Sequence, residues 1–161
     1  MNGIEIEAIL KSNKRTSKIF KGVFPSDEIP KQKITYPSAF IVNTDEKNKP
    51  GEHWVAFYFS SKNRLPEYFD SYGFFPLKLS FYKFLPKKKF KYSSLMLQDI
   101  FSTACGYYVI YFIVHKIYGF SMKNILSVFD NNTLYNDQIV INFVKDFYKQ
   151  NLCKSKQIYY K

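Results

Sequence analysis

The chain has 161 residues, with 24 Lys and Arg against 13 Asp and Glu, giving a formal net charge of +11. That balance favours negatively charged partners such as nucleic acid or an acidic substrate, and is silent about fold. Apolar residues make up 46% of the chain and only two cysteines occur, Cys105 and Cys153, so a single domain (1–161) with its own core is predicted and a disulfide-stapled scaffold is excluded.

Glu5 and Glu7 near the start argue against a secretion signal. The longest apolar run, Tyr107 to Val114, falls far short of the ~20 residues of a membrane span, so a soluble chain without a membrane partner is expected. Aromatic residues are abundant, 17 Phe and 14 Tyr. A Phe/Tyr-packed core accounts for them, and their spacing does not require base-stacking platforms.

In chain order, Ile4, Ile6, Ala8, Ile9 and Leu10 predict a short N-terminal helix over 3–11. A lysine-rich stretch follows, and Phe24-Pro25 and Pro30 read as extended loop. Residues 39–43 (A-F-I-V-N) predict a buried strand ending in a turn-rich segment. Residues 53–60 and 67–71, separated by K-N-R-L-P, predict a two-stranded hairpin. A helix over 76–85 would begin at Pro76, which suits a first helical position. Residues 105–118 are apolar nearly all round and stop at Gly119, the pattern of a buried central helix. Ser121 is placed to cap a short helix to about Val128, and 133–150 carry apolar residues at helical spacing. The fold class is therefore α+β.

The chemistry-bearing residues are few. His53 falls at the start of one predicted strand, Asp70 near the end of the next, and Cys105 at the start of the buried helix. A thiol attacks as thiolate, and its free pKa of ~8.5 leaves little thiolate at neutral pH. A nearby imidazolium and the positive end of a helix both lower that value, and this order of residues offers both. Asp70 on the strand adjacent to His53 would orient the imidazole and stabilise its charge. Gln98, in the loop seven residues before Cys105, offers a side-chain amide to an oxyanion alongside the Cys105 N–H. Each residue also has a structural explanation: a cysteine at a helix start packs as a small apolar group, a histidine beside Trp54 packs on its strand, and Asp70 before Ser-Tyr-Gly forms a turn. Read alone, the four leave a thiol hydrolase and a purely structural set both open.

These residues sit in longer motifs. The stretch 39–59, A-F-I-V-N-T-D-E-K-N-K-P-G-E-H-W-V-A-F-Y-F, resembles the adenovirus protease (adenain) family around its catalytic histidine. Residues 68–74, Y-F-D-S-Y-G-F, resemble the family's acid segment, seventeen residues from His53 to Asp70 as in the family. Q-D-I-F-S-T-A-C-G (98–106) resembles its glutamine and A-C-G nucleophile segment, with the same seven-residue offset. Agreement runs from about Phe20 to the helix after Cys105.

The resemblance implies a papain-like α+β fold, a small mixed sheet packed on a central helix that starts at the nucleophile. It implies a cysteine endopeptidase in which His53 is the base, Asp70 orients it, Gln98 lines the oxyanion hole and Cys105 attacks. Trp54 and Gly51 would shape the substrate channel. Substrates would be viral precursor polypeptides with glycine near the scissile bond, cleaved by a monomer in the virion or in the host nucleus or cytoplasm, with no cofactor needed for the chemistry. Two departures stand out. Asp70 replaces the usual glutamate of the adenovirus enzymes, as in the related ubiquitin-like-protein proteases. Residues 71–97 contain no cysteine, which argues against the family's disulfide-linked activating peptide. The shorter chain points to relatives in polintons, virophages or other large DNA viruses.

From Phe74 to Leu97 there are six lysines and no acidic residue. The family's activation by DNA implies that Lys83, Lys87, Lys88, Lys89 and Lys91 contact phosphates; a solvated basic face is the alternative. His115, on the central helix, reads as a packing residue, and no spacing suggests a metal site. Two other functions stay open: a protease removing ubiquitin or a ubiquitin-like modifier from host proteins, and a non-enzymatic DNA-associated virion protein.

Overall fold

A computed structural model describes residues 1–30, 34–85 and 89–158, with side chains as far as Cys153. The architecture is α+β, a four-stranded mixed sheet with helices against it. The elements are α1 (Gly3–Lys11), α2 (Lys14–Ile19), β1 (Phe20–Phe24), β2 (Ser38–Asn43), β3 (Trp54–Phe59), β4 (Glu67–Phe69), α3 (Leu79–Phe84), α4 (Cys105–Ile117), α5 (Met122–Leu126) and α6 (Thr133–Ile158).

The sheet runs in the order β1-β2-β3-β4, with β1 parallel to β2 and the other pairs antiparallel. Both faces are covered, which is why β2 and β3 read as continuous apolar runs rather than alternating ones. On one face Ala39, Ile41, Ala56, Tyr58 and Phe69 meet Val109, Phe112 and Ile113 of α4. Phe69 and Phe112 stack with ring centroids 4.5 Å apart, a contact worth about 0.5–1.5 kcal/mol beyond its buried area. On the other face Phe40, Phe57, Phe59 and Tyr68 pack against Phe81 and Leu85 around α3. Most of the aromatic content thus lies in these two cores.

Three expectations are corrected. The lysine-rich stretch after residue 11, for which no element was expected, contains α2 and β1, while 25–30 is loop as expected. Asn13 caps α2 through bonds from the Arg15 and Thr16 N–H groups, and Phe20 and Val23 pack into the core. The helix expected from Pro76 begins at Leu79, with the first buried side chain, Phe81, in its first turn. The helix after Ser121 stops at Leu126, and the last helix runs on to Ile158. The remaining elements match their expected positions to within a few residues, including the Ser121 cap, which accepts the Asn124 N–H at 3.1 Å.

One buried ion pair ties α4 to the sheet. Lys116 Nζ lies 2.9 Å from Glu67 Oε1, with both side chains largely withdrawn from solvent, and its ammonium sits 5.4 Å from the Tyr58 ring centroid.

Candidate active site

His53 and Asp70 flank the β3–β4 pair. His53 immediately precedes Trp54, the first residue of β3, and Asp70 immediately follows Phe69, the last of β4. The register pairs Ala56 with Phe69, so the two side chains emerge at the same end of the pair. His53 Nε2 and Asp70 Oδ1 are 2.9 Å apart, and both residues are buried. With Nε2 held by the carboxylate, Nδ1 is the ring nitrogen left for the thiol, and His53 and Cys105 are close enough for each to shift the other's pKa.

Asp70 serves two ends. Its Oδ1 also accepts the Tyr72 N–H at 2.8 Å, and its carbonyl accepts the Gly73 N–H at 3.0 Å. It is a turn former and a histidine partner at once. Gly73 is required in this turn: its φ is +74°, and a Cβ there would lie 2.6 Å from the Ser94 backbone.

Cys105 is the first residue of α4. The preceding N-cap is Ala104, which offers no side-chain acceptor, so the helix start is left to other partners. Burial raises the thiol pKa, but the hydrogen bond from His53, the backbone N–H of Trp54, the imidazolium charge and the Gly106 N–H outweigh it and hold the pKa below the ordinary thiol value. For His53 burial opposes the charge, and the bonds and charges of Asp70 and Cys105 outweigh it, raising the imidazole from 6.5 to about 9. The two shifts act in the same direction, towards an imidazolium–thiolate pair.

Gln98 is buried, 1% exposed, and its carboxamide is fully engaged. Its Oε1 accepts from Ser71 Oγ at 2.7 Å, while Nε2 donates to Ser102 O at 2.9 Å and to the Tyr72 hydroxyl at 3.1 Å. The loop that carries it is pinned from several sides. The Ser71 carbonyl accepts the Leu97 and Gln98 N–H groups at 2.8 and 3.2 Å. Leu97 O in turn accepts from Tyr108 Oη and Asn136 Nδ2. Tyr72 reaches across the site, its ring tilted over His53 with centroids 4.9 Å apart.

Trp54 and Gly51 border a depression of about 640 Å³ whose walls include Met1, Asn43, Glu46 and Lys47, while His53, Asp70 and Cys105 do not line it. Trp54 Nε1 donates to Met1 O at 3.1 Å, and the Met1 side chain lies over Gly106, next to Cys105. Asn43 clamps the loop leading to His53: its Oδ1 accepts the Asp45 and Glu52 N–H groups, and the neighbouring Thr44 N–H binds His53 O at 2.8 Å.

The remaining candidates lie apart. Lys83, Lys89 and Lys91 are exposed, and Lys87 and Lys88 lie outside the described residues. His115 packs among Tyr111, Phe120 and Phe143, and burial lowers its pKa. Both cysteines are free thiols, Cys153 exposed on α6. Among the described residues no cluster of three or more His, Cys, Asp or Glu is placed to hold a metal, and no helix is long and apolar enough to cross a membrane.

Ser71, Tyr72 and Asn43 were not singled out from sequence. Each is an ordinary turn or strand-end residue in one dimension, and only its place next to Asp70 or before the His53 loop hints at a role. No protein-family model matches this chain, and a search of curated proteins finds no significant match.

Proposed function

We propose that this chain is a cysteine endopeptidase of the adenain type, with Cys105 as nucleophile, His53 as acid–base and Asp70 as the group that orients the imidazole. The observation that carries this reading is the buried His53, bonded through Nε2 to Asp70 at 2.9 Å, beside a free thiol at the first residue of a helix; the direction of the Cys105 pKa shift agrees with it. A purely structural cysteine has no need of that environment.

The reaction follows from the parts. The Cys105 thiolate attacks the scissile carbonyl carbon; a C–S bond forms and the C=O π pair moves onto oxygen. The Cys105 N–H, one of the unsatisfied donors at the helix start, faces that oxyanion. When the carbonyl re-forms, the C–N bond breaks and the leaving amine takes the proton from the His53 imidazolium, leaving a thioester. Water then attacks while His53 accepts its proton, the C–S bond breaks, and acid product leaves with the thiolate restored.

The depression bordered by Trp54 and Gly51 has room for an extended chain; viral precursor polypeptides with glycine near the scissile bond are the substrates this reading proposes. The exposed Lys83, Lys89 and Lys91 support contact with DNA phosphates. A mechanism-based thiol probe should label wild-type protein at Cys105, and Cys105→Ala should abolish peptide cleavage while leaving the circular dichroism spectrum unchanged. Cleavage retained by that variant overturns the assignment. Hydrolysis of a ubiquitin-type C-terminal reporter with no cleavage of virion precursors would reassign the substrate class to ubiquitin-like conjugates.

A further inference from the structure

Gln98 is held through its neighbours as well as through its own side chain. On one flank Leu97 O accepts from Asn136 Nδ2 at 3.1 Å and from Tyr108 Oη at 2.9 Å. On the other, Asp99 Oδ2 accepts from Thr133 Oγ1 at 3.1 Å. Thr133 and Asn136 belong to the first turn of α6, and Tyr108 stands one turn along α4 from Cys105. One hydroxyl therefore joins the nucleophile helix to the residue before Gln98, and α6 grips both sides of it. The α6 residues lie beyond the stretch that resembles the adenain family.

Burial makes this grip firm. Tyr108 and Asn136 are withdrawn from solvent, as are Leu97 and Asp137, so a lost bond cannot be replaced by water. The Asn136 amide cannot turn away, since its second hydrogen goes to Asp130 O at 2.9 Å and its oxygen accepts the Asp130 N–H at 3.2 Å. Tyr108 Oη also lies 2.9 Å from Asp137 Oδ1; burial, reinforced by that carboxylate, raises the phenol pKa and keeps its proton in place. The Gln98 carboxamide has both Nε2 hydrogens engaged, by Ser102 O and the Tyr72 hydroxyl. It can serve an oxyanion only by exchanging one of these bonds for a charge-assisted one, and meanwhile its position has to be kept by the backbone. We propose that Tyr108, Asn136 and Thr133 are positioning residues that fix the backbone on both flanks of Gln98, so that α6 sets the geometry of an oxyanion hole formed by Gln98 and the Cys105 N–H; this rests on the peptidase reading above.

The test compares two reactions of the same thiol, using a fluorogenic peptide amide ending in Gly-Gly and iodoacetamide. Alkylation occurs at a methylene carbon and builds no oxyanion, so it reports the thiolate and the fold but not the hole. The Tyr108→Phe, Asp137→Asn double variant removes the hydroxyl and leaves no buried carboxylate without its donor; Asp137→Asn alone, which keeps an acceptor for that hydroxyl, is its reference. The double variant should lower kcat about 10- to 10²-fold, with KM changed less than about threefold and the alkylation rate and pH profile unchanged. In a Gln98→Ala background, itself expected to cost about 10²–10³-fold, the same change should cost less than about threefold, because it acts through Gln98. Should the double variant fail to fold, Thr133→Val decides: it removes one half-buried hydroxyl at nearly constant volume, and kcat should fall about three- to tenfold with alkylation untouched. Unchanged kcat in the deciding variant, hydrolysis and alkylation falling together, or the full loss persisting in the Gln98→Ala background would each overturn the positioning role, as would wild-type kcat in Gln98→Ala. A wild-type protein that reacts with iodoacetamide but cleaves no Gly-Gly amide would instead overturn the peptidase reading, and this role with it.

Discussion

His53 Nε2 and Asp70 Oδ1 stand 2.9 Å apart although neither residue belongs to a strand. Each is the first residue beyond one end of the antiparallel β3–β4 pair, so their approach is set by the register that matches Ala56 with Phe69. A slip of one residue in β4 would turn Asp70 to the opposite face of the sheet and leave the imidazole unpartnered. The register is held by burial: Phe69 is committed to the α4 face and Tyr68 to the α3 face, and neither can exchange without exposing a large ring.

The reactive state should exist over a defined pH range. The thiolate forms as pH rises through the lowered Cys105 pKa, and the imidazolium is lost as pH rises through the His53 value of about 9. Hydrolysis should therefore rise on the acid side below the ordinary thiol pKa and fall on the alkaline side near 9, the two limbs belonging to the pair rather than to either residue. A kcat/KM profile from pH 5 to 10, with thiolate absorbance at 240 nm alongside, checks both limbs. A single rise at the free-thiol value would contradict it.

Asp70→Asn should move the alkaline limb. The carboxylate supplies both a hydrogen bond and a charge that raise the His53 pKa, while burial alone lowers it. Without the charge the imidazole should titrate back towards 6.5, and the active window should narrow from its high-pH side. At pH 8 the expected loss in kcat/KM is about tenfold or more, since roughly that share of imidazolium is lost with each unit of pKa. The asparagine oxygen can still accept the Tyr72 N–H, so thermal stability should fall little.

Removing one half of the Lys116–Glu67 pair should destabilise the fold rather than the chemistry. Lys116→Met leaves the Glu67 carboxylate buried with its Oε2 already lacking a partner. The expected cost is about 3–5 kcal/mol, while a Lys116→Met, Glu67→Leu double variant should recover most of it. Urea denaturation of the two variants distinguishes them; equal destabilisation would show that packing, not the uncompensated charge, is responsible.

DNA contact through the basic surface has a salt signature. For duplex DNA, each neutralised phosphate should contribute about −0.9 to the slope of log K against log salt. Lys83→Gln, Lys89→Gln and Lys91→Gln should each make that slope shallower by about one, for any DNA sequence. Fluorescence anisotropy of a labelled duplex between 50 and 200 mM salt measures it, and an unchanged affinity across that range would remove DNA as a partner.

Several parts of this molecule were legible in one dimension. The apolar runs at 39–43 and 105–118 announced a buried strand and a buried helix because they are covered all round, and Ser121 and Gly119 punctuated the chain where a cap and a positive-φ residue are needed. α2 and β1 were missed because a basic stretch followed by Phe-Lys-Gly-Val-Phe has no clear period; their order comes from the Asn13 cap and from pairing with β2. Position relative to predicted element ends also nominated His53, Asp70, Gln98 and Cys105, since strand ends and helix starts are where side chains and unsatisfied N–H groups become available.

Residue order alone thus carries the α+β pattern and a short list of candidate side chains at the ends of elements. The tertiary structure alone decided how they are joined: that Asp70 bonds His53 while forming its own turn, that the thiol is held below its ordinary pKa, and that Gln98 is saturated by Ser71, Tyr72 and Ser102. The physical reason is that a hydrogen bond is satisfied by direction and distance. The partners of Gln98 lie up to 27 residues away in the chain, and only the packed sheet, turn and helix start bring them within about 3 Å.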